Sequence, residues 1–369
     1  MWGGEHNPQQ PLPDAFLRIP TQVYRDDPYW LGENAERLQV RFSPANGFFQ
    51  QGRVWLGGIG GQVRVAAFVH PDQHIGGEPV AYFGYWETCN ALAANRALFA
   101  AMEAWVKGQG VKTLYGPIDF NTYGNNRLRL NDFDQSCFPG EPYNPGYYPE
   151  LLQQLGYQIA CRYQSRFHPD ASALAQELHP RLQALRGQLE EQFDLQPLSA
   201  DFWLSHLGAL HPLVDLIFRQ NFAYTPIDLD QFRVLCGAPF ARRFCSRSSV
   251  LATTKAGDVA GFFLCYPDYG PLLRQANTNP LVAEAISYDE HFDMLPRPRL
   301  ALAKTGGVHP DFRQSGLFNW MGMQLVENAA PHYETIAGAL MREDNHSLRF
   351  GMVCPIQRDY GLFRKILSN

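Results

Sequence analysis

The stretch from Leu302 to Phe318 contains the residues that most directly suggest chemistry. It reads Leu-Ala-Lys-Thr-Gly-Gly-Val-His-Pro-Asp-Phe-Arg-Gln-Ser-Gly-Leu-Phe and is predicted to run from a strand through a turn into an amphipathic helix. Glycine at a helix start lets free backbone N–H groups and the positive end of the helix face an anion. Arg313 would add a charge-assisted contact to a phosphate. A turn in which Gly316 only allows close packing would have the same pattern, so both interpretations stay open.

Glu87 is a second candidate, because it follows the aromatic-rich strand Val80–Trp86, which is predicted to be buried. A carboxylate there is costly unless it is paired, and a raised pKa suits a general base. A simple charge at the start of the next helix is the alternative. No metal site is predicted, because Pro71 between His70 and His74 favours a loop over a metal-binding helix face.

The first half of the chain has a pattern of strands and helices that positions Glu87. Val63–Val69 and Val80–Trp86 are rich in β-branched and aromatic residues, as strands are. Apolar residues recur three and four positions apart from Leu98 to Val106, which predicts a helix. The remaining predicted elements of this half are the strand Thr113–Tyr115, the helix Tyr148–Leu155 and the strand Tyr157–Phe167.

The second half repeats this order, which indicates an internal repeat. Its predicted elements are the hairpin strands Ser249–Thr254 and Val259–Tyr266, strand Leu300–Val308, helix Gly316–Ala329, strand Thr335–Met341, a short helix near Ser347–Gly351 and strand Tyr360–Ile366. Between the halves, Pro180 suits the first turn of a connecting helix whose apolar face runs from Leu182 to Phe193.

The chain length agrees with this repeat, because 369 residues exceed the roughly 150 of an average domain. We predict an N-terminal domain at 1–168, a connecting helix within 169–195 and a C-terminal domain at 196–369. The predicted fold class is α/β of the α+β type, in which each domain is a twisted mixed sheet flanked by helices.

Composition excludes several classes of function. Lys+Arg 31 against Asp+Glu 36 gives a formal charge of −5, and without a basic stripe a nucleic-acid partner is not expected. The N-terminus is polar and no long apolar run is present, so we expect a cytoplasmic protein that does not cross a membrane. The 7 cysteines form no Cys-x-x-Cys pair, so we expect neither a disulfide framework nor a zinc finger.

Several motifs resemble the GCN5-related N-acetyltransferase (GNAT) superfamily. Val308-His-Pro-Asp-Phe-Arg-Gln-Ser-Gly-Leu317 is similar to its acyl-CoA pyrophosphate loop, and Glu343–Ser347 and Tyr360–Leu367 are similar to its later Asn-containing motif and closing strand. The first half resembles bacterial double-GNAT proteins of the YghO-like type. The motifs that carry this are Val23–Trp30, Phe83–Glu87, Tyr115–Pro117 and Asn144–Tyr157.

The resemblance implies a pair of GNAT folds, with acyl-CoA in a splayed cleft between the fourth and fifth strands of the second repeat. A backbone N–H near Gly307 or Val308 would polarise the thioester carbonyl. The pyrophosphate would lie over the loop residues Arg313, Gln314, Ser315, Gly316, Leu317 and Phe318. Members of this superfamily commonly use a carboxylate as base and a tyrosine as the acid that protonates the departing thiolate.

The candidate catalytic residues are Tyr360, Asn345, His309 and Glu87. Tyr360 is the candidate acid, although cross-strand packing is the alternative. Asn345 would contact cofactor or acceptor, or cap a helix. His309 lies at the exit of the predicted strand, where a histidine could act as a base, and a His-Pro turn is the alternative.

The sequence departs from the superfamily pattern in three places. Phe318 stands where Gly or Ala is usual, the predicted strand Leu300–Val308 contains no carboxylate, and the loop that follows Glu87 has no glycine motif. We therefore expect the first repeat not to bind CoA.

The predicted function is transfer of an acyl group from acetyl-CoA or another acyl-CoA to an amine of a small molecule, in the C-terminal repeat. A thioester of an acyl carrier protein, in place of acyl-CoA, stays open as the acyl donor. The alternatives are a FemABX-like transferase that uses aminoacyl-tRNA and a non-catalytic binding protein on a decayed GNAT frame.

Overall fold

The computed structural model describes residues 1–275, 285–345, 348 and 354–367. Within them the chain forms two compact units. The first unit comprises Met1–Arg162, Asn221–Pro226 and Asp359–Asn369, and the second comprises Tyr163–Gln220 and Ile227–Arg358.

Both units contain strands and helices. The strands are β1 (Trp2–Glu5), β2 (Arg53–Ile59), β3 (Val63–Val69), β4 (His74–Ile75), β5 (Glu78–Pro79), β6 (Ala81–Thr88), β7 (Thr113–Gly116), β8 (Leu128–Arg129), β9 (Gln158–His168), β10 (Phe193–Pro197), β11 (Val250–Thr254), β12 (Val259–Pro267), β13 (Leu300–Val308), β14 (Thr335–Arg342) and β15 (Ile356–Ile366). The helices are α1 (Asp14–Val23), α2 (Ala35–Arg41), α3 (Leu92–Gly108), α4 (Tyr148–Gln154), α5 (Ala171–Leu189), α6 (Ala200–Ser205), α7 (Leu207–Phe218), α8 (Leu229–Cys236), α9 (Ala238–Ala241), α10 (Gly270–Gln275), α11 (Tyr288–His291) and α12 (Leu317–Ala329).

The sheet of the first unit begins with the antiparallel run β1-β2-β3-β6. β6 then pairs in parallel with β7, and β7 pairs antiparallel with β15 at Phe363–Ile366. β3, β6 and β7 are almost entirely buried, and the apolar side of the sheet packs against α3, whose Leu98, Phe99 and Met102 are buried. The short hairpin β4–β5 lies apart from this sheet.

The sheet of the second unit has the same order of orientations. β10, β11, β12 and β13 are antiparallel neighbours, β13 pairs in parallel with β14, and β14 pairs antiparallel with the end of β9. Its core joins β12 and β13 to α12 and α5. The predicted fold class, a mixed sheet flanked by helices and present twice, is confirmed.

The last strand lies in a different unit from the one that its position in the sequence suggests. Tyr360–Ile366 falls within the predicted domain 196–369, whereas the structure places residues from Asp359 onward in the first unit. The cause is pairing, since β15 bonds to β7 of the first unit and β14 takes the end of β9 instead.

The connecting helix also differs from the prediction. α5 begins at Ala171, where the Asp170 side chain accepts a hydrogen bond from the Ala173 amide, so Pro180 lies inside the helix and not in its first turn. Phe193 lies in β10 and not on the helix face. An N-terminal cap therefore sets the helix start earlier than the proline suggests.

Most other predicted elements agree with the structure, and Val63–Val69 and Leu300–Val308 have the predicted bounds. The short helix predicted near Ser347–Gly351 lies outside the described residues, apart from Leu348. Among the helices that the structure describes, none combines the length and apolar character needed to cross a membrane.

Candidate functional site

The second unit contains a splay between its fourth and fifth strands. β13 and β14 pair in parallel from Leu300↔Thr335 to Ala303↔Gly338, and the pairing ends there although both strands continue. On the other side of β13, the register with β12 shifts between Phe263 and Cys265. Thr305 at this bulge has φ 67°, a value that is strained for a residue with a branched side chain. The edge of β13 is therefore released from its parallel neighbour over its last residues.

The predicted anion loop follows directly after this released edge. A short 3-10 turn, Pro310–Phe312, leads to Gly316, which has φ 94° and precedes the first residue of α12. Glycine adopts this left-handed conformation without steric cost. The Leu317 amide donates to Ser315 Oγ over 3.1 Å. The structure thus forms a helix start that is preceded by a glycine, a few residues after the released edge of β13.

Arg313 lies in this loop and is anchored to the end of α7. Its guanidinium donates to Gln220 Oε1 and to the Ile217 carbonyl oxygen, both over 2.8 Å. The residue as a whole is exposed. The side chain therefore has a fixed position at the surface beside the loop, and its remaining N–H donors are available to solvent or a ligand.

Two other residues of the predicted loop take part in packing. A Cβ on Gly307 would overlap Cγ2 of Ile217, so this glycine allows α7 to approach β13 closely. The ring of Phe318 stacks on Phe263 with centroids 5.2 Å apart and an interplanar angle of 30°. Phe318 thus ties the first turn of α12 to β12. Val308 and Leu317 are buried, and Gln314 is exposed.

His309 and Asn345 occupy different positions in the second unit. The His309 ring is half-buried, and its Nδ1 accepts from the Asp311 amide over 3.3 Å. It lies at the exit of β13, next to the splay. Asn345 is exposed in a turn after β14, where its amide donates to the Arg342 carbonyl oxygen over 3.0 Å.

The first unit places Glu87 near the end of β6, where two tyrosines hold it. Tyr24 and Tyr148 each donate a hydroxyl hydrogen to Glu87 Oε2 over 2.8 Å. Burial raises the pKa of Glu87 to about 7, and the positive charge of Arg64 and the Tyr148 hydrogen bond oppose that rise. A carboxyl group with this pKa can accept or release a proton near neutral pH.

An ion pair between the buried Arg64 and the partly exposed Glu33 lies beside Glu87. The guanidinium of Arg64 donates to both carboxylate oxygens of Glu33, over 2.6 and 2.9 Å, and to the Phe16 carbonyl oxygen over 2.9 Å. The Arg64 side chain is 1% exposed. Its guanidinium also lies 4.6 Å from the centroid of the Phe16 ring. The positive charge of Arg64 is therefore fixed in place and largely neutralised by Glu33.

Asp119 brings a further carboxylate to the same part of the first unit. Its Oδ1 accepts from the Tyr85 amide over 2.8 Å, at a bulge in β6 where Tyr85 has φ 47°. Burial raises the pKa of Asp119 to about 6, against the opposing charge of Arg41. A Cβ on Gly84 would collide with this carboxylate, so the glycine provides its space.

Tyr360 is fully buried in the first unit. Its hydroxyl donates to Glu141, and Glu141 Oε2 lies 3.0 Å from Arg129 Nη2 with both side chains 0% exposed. Tyr360 therefore completes a buried hydrogen-bonded ion pair in the first unit.

A cavity of about 230 Å³ in the first unit is lined by charged and polar residues, among them Glu33, Arg64, Tyr85, Glu87, Asp119 and Glu141. Its other polar lining includes Tyr24, Asn125, Asn126, Arg127, Tyr143, Asn144 and Tyr148. The predicted residues thus fall into three places. The loop 307–318 with His309 lies in the second unit and Asn345 lies at an exposed turn. Glu87 lines the cavity of the first unit, and Tyr360 donates to Glu141 of the same lining.

Sequence reasoning missed most of this cavity. Besides Glu87, the sequence has one further signal for the cavity in Arg64, a charged residue inside the otherwise apolar strand Val63–Val69. Tyr24 and Asp119 gave no signal, because their contacts with β6 depend on how distant segments fold together.

The comparisons with known proteins agree with this description of the strands. The structure is similar to a tandem GNAT protein from the clavulanic acid biosynthesis pathway, determined without acetyl-CoA, with a TM-score of 0.53 and 13% identity over 100% of this chain and 99% of that one. The chain has the tandem GNAT fold.

Two further solved structures resemble the tandem GNAT fold of this chain. A conserved protein from Enterococcus faecalis V583, described as a probable N-acyltransferase, has a TM-score of 0.51 and 10% identity over 100% of this chain and 73% of that one. A GCN5-related glucosamine N-acetyltransferase region of a fungal multi-domain β-N-acetylglucosaminidase has a TM-score of 0.54 and 10% identity, over 99% of this chain and 38% of that one.

At the level of sequence, the chain resembles Protein YghO of Escherichia coli strain K12. The two are 23% identical over 237 residues, which is 60% of this chain and 57% of YghO. The chain thus matches less than two thirds of the length of this curated relative. No protein-family model matches the chain.

Proposed function

We propose that the protein is an acyltransferase that uses acetyl-CoA or a longer acyl-CoA, bound in the second unit, to acylate an amine of a small molecule. The observation that carries this proposal is the splay of β13 and β14 beside a helix that begins after Gly316 at φ 94°. A released strand edge and a glycine-led helix start, side by side, provide backbone donors for a carbonyl and for a phosphate.

The residues of the second unit fit an acyl-CoA as follows. N–H groups at the end of β13, around Gly307 and Val308, would donate to the thioester carbonyl. The start of α12 would hold the pyrophosphate, with Arg313 contributing a charge-assisted hydrogen bond. Its anchoring to Ile217 and Gln220 supports this role, because a side chain that is already positioned loses less conformational entropy on binding.

The acceptor must lose a proton before it can attack the thioester. His309 lies at the exit of β13 and is half-buried, so it is the group we propose as base in this unit. Its Nδ1 accepts from the Asp311 amide, so the neutral ring carries its hydrogen on Nε2; as base the ring takes up the acceptor's proton at Nδ1, in place of the Asp311 hydrogen bond.

The test is a calorimetric titration of the full chain with acetyl-CoA and with a longer acyl-CoA, at one fixed salt concentration. We expect a Kd of about 1–100 μM, which corresponds to roughly 5–8 kcal/mol of binding free energy. Arg313→Ala should weaken binding by about tenfold, the effect of losing one charge-assisted hydrogen bond.

Arg219→Ala is the matched control, because Arg219 is an exposed arginine at the same end of α7 that pairs with Asp215. It should leave the Kd within about twofold. Absence of binding to either acyl-CoA would overturn the proposal and favour a binding protein on a GNAT frame. Equal losses in both variants would show that general charge, and not the loop, attracts the donor.

A further inference from the structure

More carboxylates than guanidinium groups line the cavity of the first unit; the lining guanidinium groups are those of Arg64 and Arg127, and the charge of Arg41 also acts on Asp119. Four carboxylates line it, and two of them have a bonded cation: Glu33 pairs with Arg64 and Glu141 pairs with Arg129. The other two carboxylates are those of Glu87 and Asp119. In the described part of the chain neither forms an ion pair with a lysine, arginine or histidine.

The hydrogen bonds made by these two carboxylates leave acceptor capacity unused. Glu87 accepts from two tyrosine hydroxyls on one oxygen, Oε2, and Asp119 accepts from the Tyr85 amide on Oδ1. An ionised carboxylate has about four lone-pair positions for hydrogen-bond donors. Each group can therefore accept further hydrogen bonds from a ligand in the cavity.

Tyr85 supplies an independent observation. It lines the same cavity, is 8% exposed, and its hydroxyl has no hydrogen-bond partner in the described residues. A buried hydroxyl without a partner is uncommon and costs free energy. A water molecule or a ligand in the cavity can supply the missing partner.

We propose that this cavity is a binding site for a small molecule that carries a protonated primary amine. The three N–H donors of an ammonium group match the acceptors that Glu87, Asp119 and the Tyr85 hydroxyl offer. Its single positive charge would lie between the two carboxylates that have no ion pair and offset one of their two charges. The volume of about 230 Å³ lies below the roughly 300–1,000 Å³ of pockets for drug-sized ligands, so the ligand is small.

This site goes beyond the donor site proposed above, because all of its residues belong to the first unit. Binding of an amine there needs no acyl donor and is measured without one. The two proposals can therefore fail separately.

The experiment is calorimetric titration of the full chain with n-butylamine and with ethanolamine, each compared with a neutral analogue, 1-butanol and ethylene glycol. At about pH 8 both amines remain protonated, since alkylamines have pKa values close to that of lysine. We expect the amines to bind with a Kd at or below about 1 mM and the neutral analogues to bind at least about tenfold more weakly.

Glu87→Gln and Asp119→Asn each remove one negative charge with little change in shape, and each should weaken amine binding by about tenfold. Asp72→Asn is the control, because Asp72 is an exposed acid of the same unit that does not line the cavity. It should leave the Kd unchanged. Thermal melts of every variant establish that it is folded.

Tyr85→Phe keeps the proposal testable if an acid variant fails to fold. It removes a hydroxyl that has no partner within the described residues, so the fold should tolerate it, and amine binding should weaken by about threefold or more. The proposal is overturned if no amine binds at about 10 mM, if the neutral analogues bind equally well, or if the folded variants bind as the wild type does. Loss of acetyl-CoA binding alone would overturn only the proposed function.

Discussion

Tyr148 connects the backbone of β6 to the carboxylate of Glu87. Its hydroxyl oxygen accepts a hydrogen bond from the Thr88 amide over 2.8 Å, and its hydroxyl hydrogen goes to Glu87 Oε2 over 2.8 Å. Each bond polarises the hydroxyl in the sense that strengthens the other. Glu87 is therefore held in place by neutral donors, and it can change protonation state without losing a cationic partner.

The raised pKa of Glu87 predicts a pH dependence of stability. The pKa rises from 4.5 to about 7 on burial, so this group's favourable contribution is complete below about pH 4.5 and is lost as the pH rises through 7. Glu87→Gln removes that loss. We expect the free energy of unfolding of the variant to gain on the wild type by on the order of 2 kcal/mol between pH 5 and pH 8.

Urea denaturation of both proteins at the two pH values measures this difference. Asp14→Asn, which removes a carboxylate that is 82% exposed, should follow the wild type at both values. Parallel curves for Glu87→Gln and the wild type would mean that Glu87 titrates as an ordinary glutamate.

The ion pair of Arg64 and Glu33 predicts a loss of stability when Arg64 is removed. The Arg64 side chain is 1% exposed, whereas that of Glu33 is 25% exposed. Arg64→Met leaves Glu33 without its cation and also removes the positive charge that opposes the raised pKa of Glu87. We expect the free energy of unfolding to fall by about 1.5–3 kcal/mol, the range for hydrogen bonds of charged groups, because solvent still reaches Glu33.

The control is Arg18→Met, which breaks an exposed ion pair between Arg18 and Asp14, four residues apart on α1. Its cost should stay below about 0.5 kcal/mol. Denaturant melts that give equal losses for the two variants would contradict the buried role of Arg64.

The sequence predicts those parts of the fold that depend on local patterns. Val63–Val69 and Leu300–Val308 were found with the bounds that the structure has, because continuous runs of β-branched, aromatic and small residues mark buried strands. The predicted start of α5 is wrong, because the sequence pattern is the same for a proline inside a helix and for a proline in its first turn. The unit that β15 joins depends on long-range pairing, which no local pattern encodes.

The candidate sites divide in the same way. The loop around Gly316 could be predicted, because a strand, a glycine-containing turn and a helix follow one another in the sequence. The cavity could not, since Glu87 meets Tyr24 from 63 residues away and Tyr148 from 61 residues away. Gly307 shows a further limit, because its lack of a side chain serves the approach of α7 whether or not a ligand binds nearby.

The close contact at Gly307 predicts that a side chain placed there disturbs the packing and that Ile217→Ala relieves part of the effect. A Cβ at this position overlaps Ile217 Cγ2, so Gly307→Ala should lower the free energy of unfolding by about 1–3 kcal/mol. In the background of Ile217→Ala, which lacks that methyl group, the same change should cost less. The difference is a coupling free energy, which a double-mutant cycle measured by denaturant melts provides.

The control for this cycle is Gly208→Ala in α7, where a Cβ would meet no atom within 4 Å. It should raise stability by up to about 1 kcal/mol, since alanine favours a helix more than glycine does. An additive cycle between positions 307 and 217 would refute the close approach of α7 to β13.

Tyr360 gives the last prediction, which separates a structural role from a catalytic one. Its hydroxyl is fully buried and donates to Glu141, whose other oxygen faces Arg129. Tyr360→Phe removes a donor to a buried carboxylate, so we expect the free energy of unfolding to fall by about 2 kcal/mol while the Kd for acetyl-CoA stays unchanged. Tyr266→Phe is the matched control, because the Tyr266 hydroxyl is buried without a hydrogen-bond partner in the described residues, and it should cost less than about 0.5 kcal/mol. If Tyr360 instead protonates the departing thiolate, its variant will keep its stability and lose turnover at saturating acetyl-CoA, and release of free thiol from CoA, followed against pH, distinguishes the two outcomes.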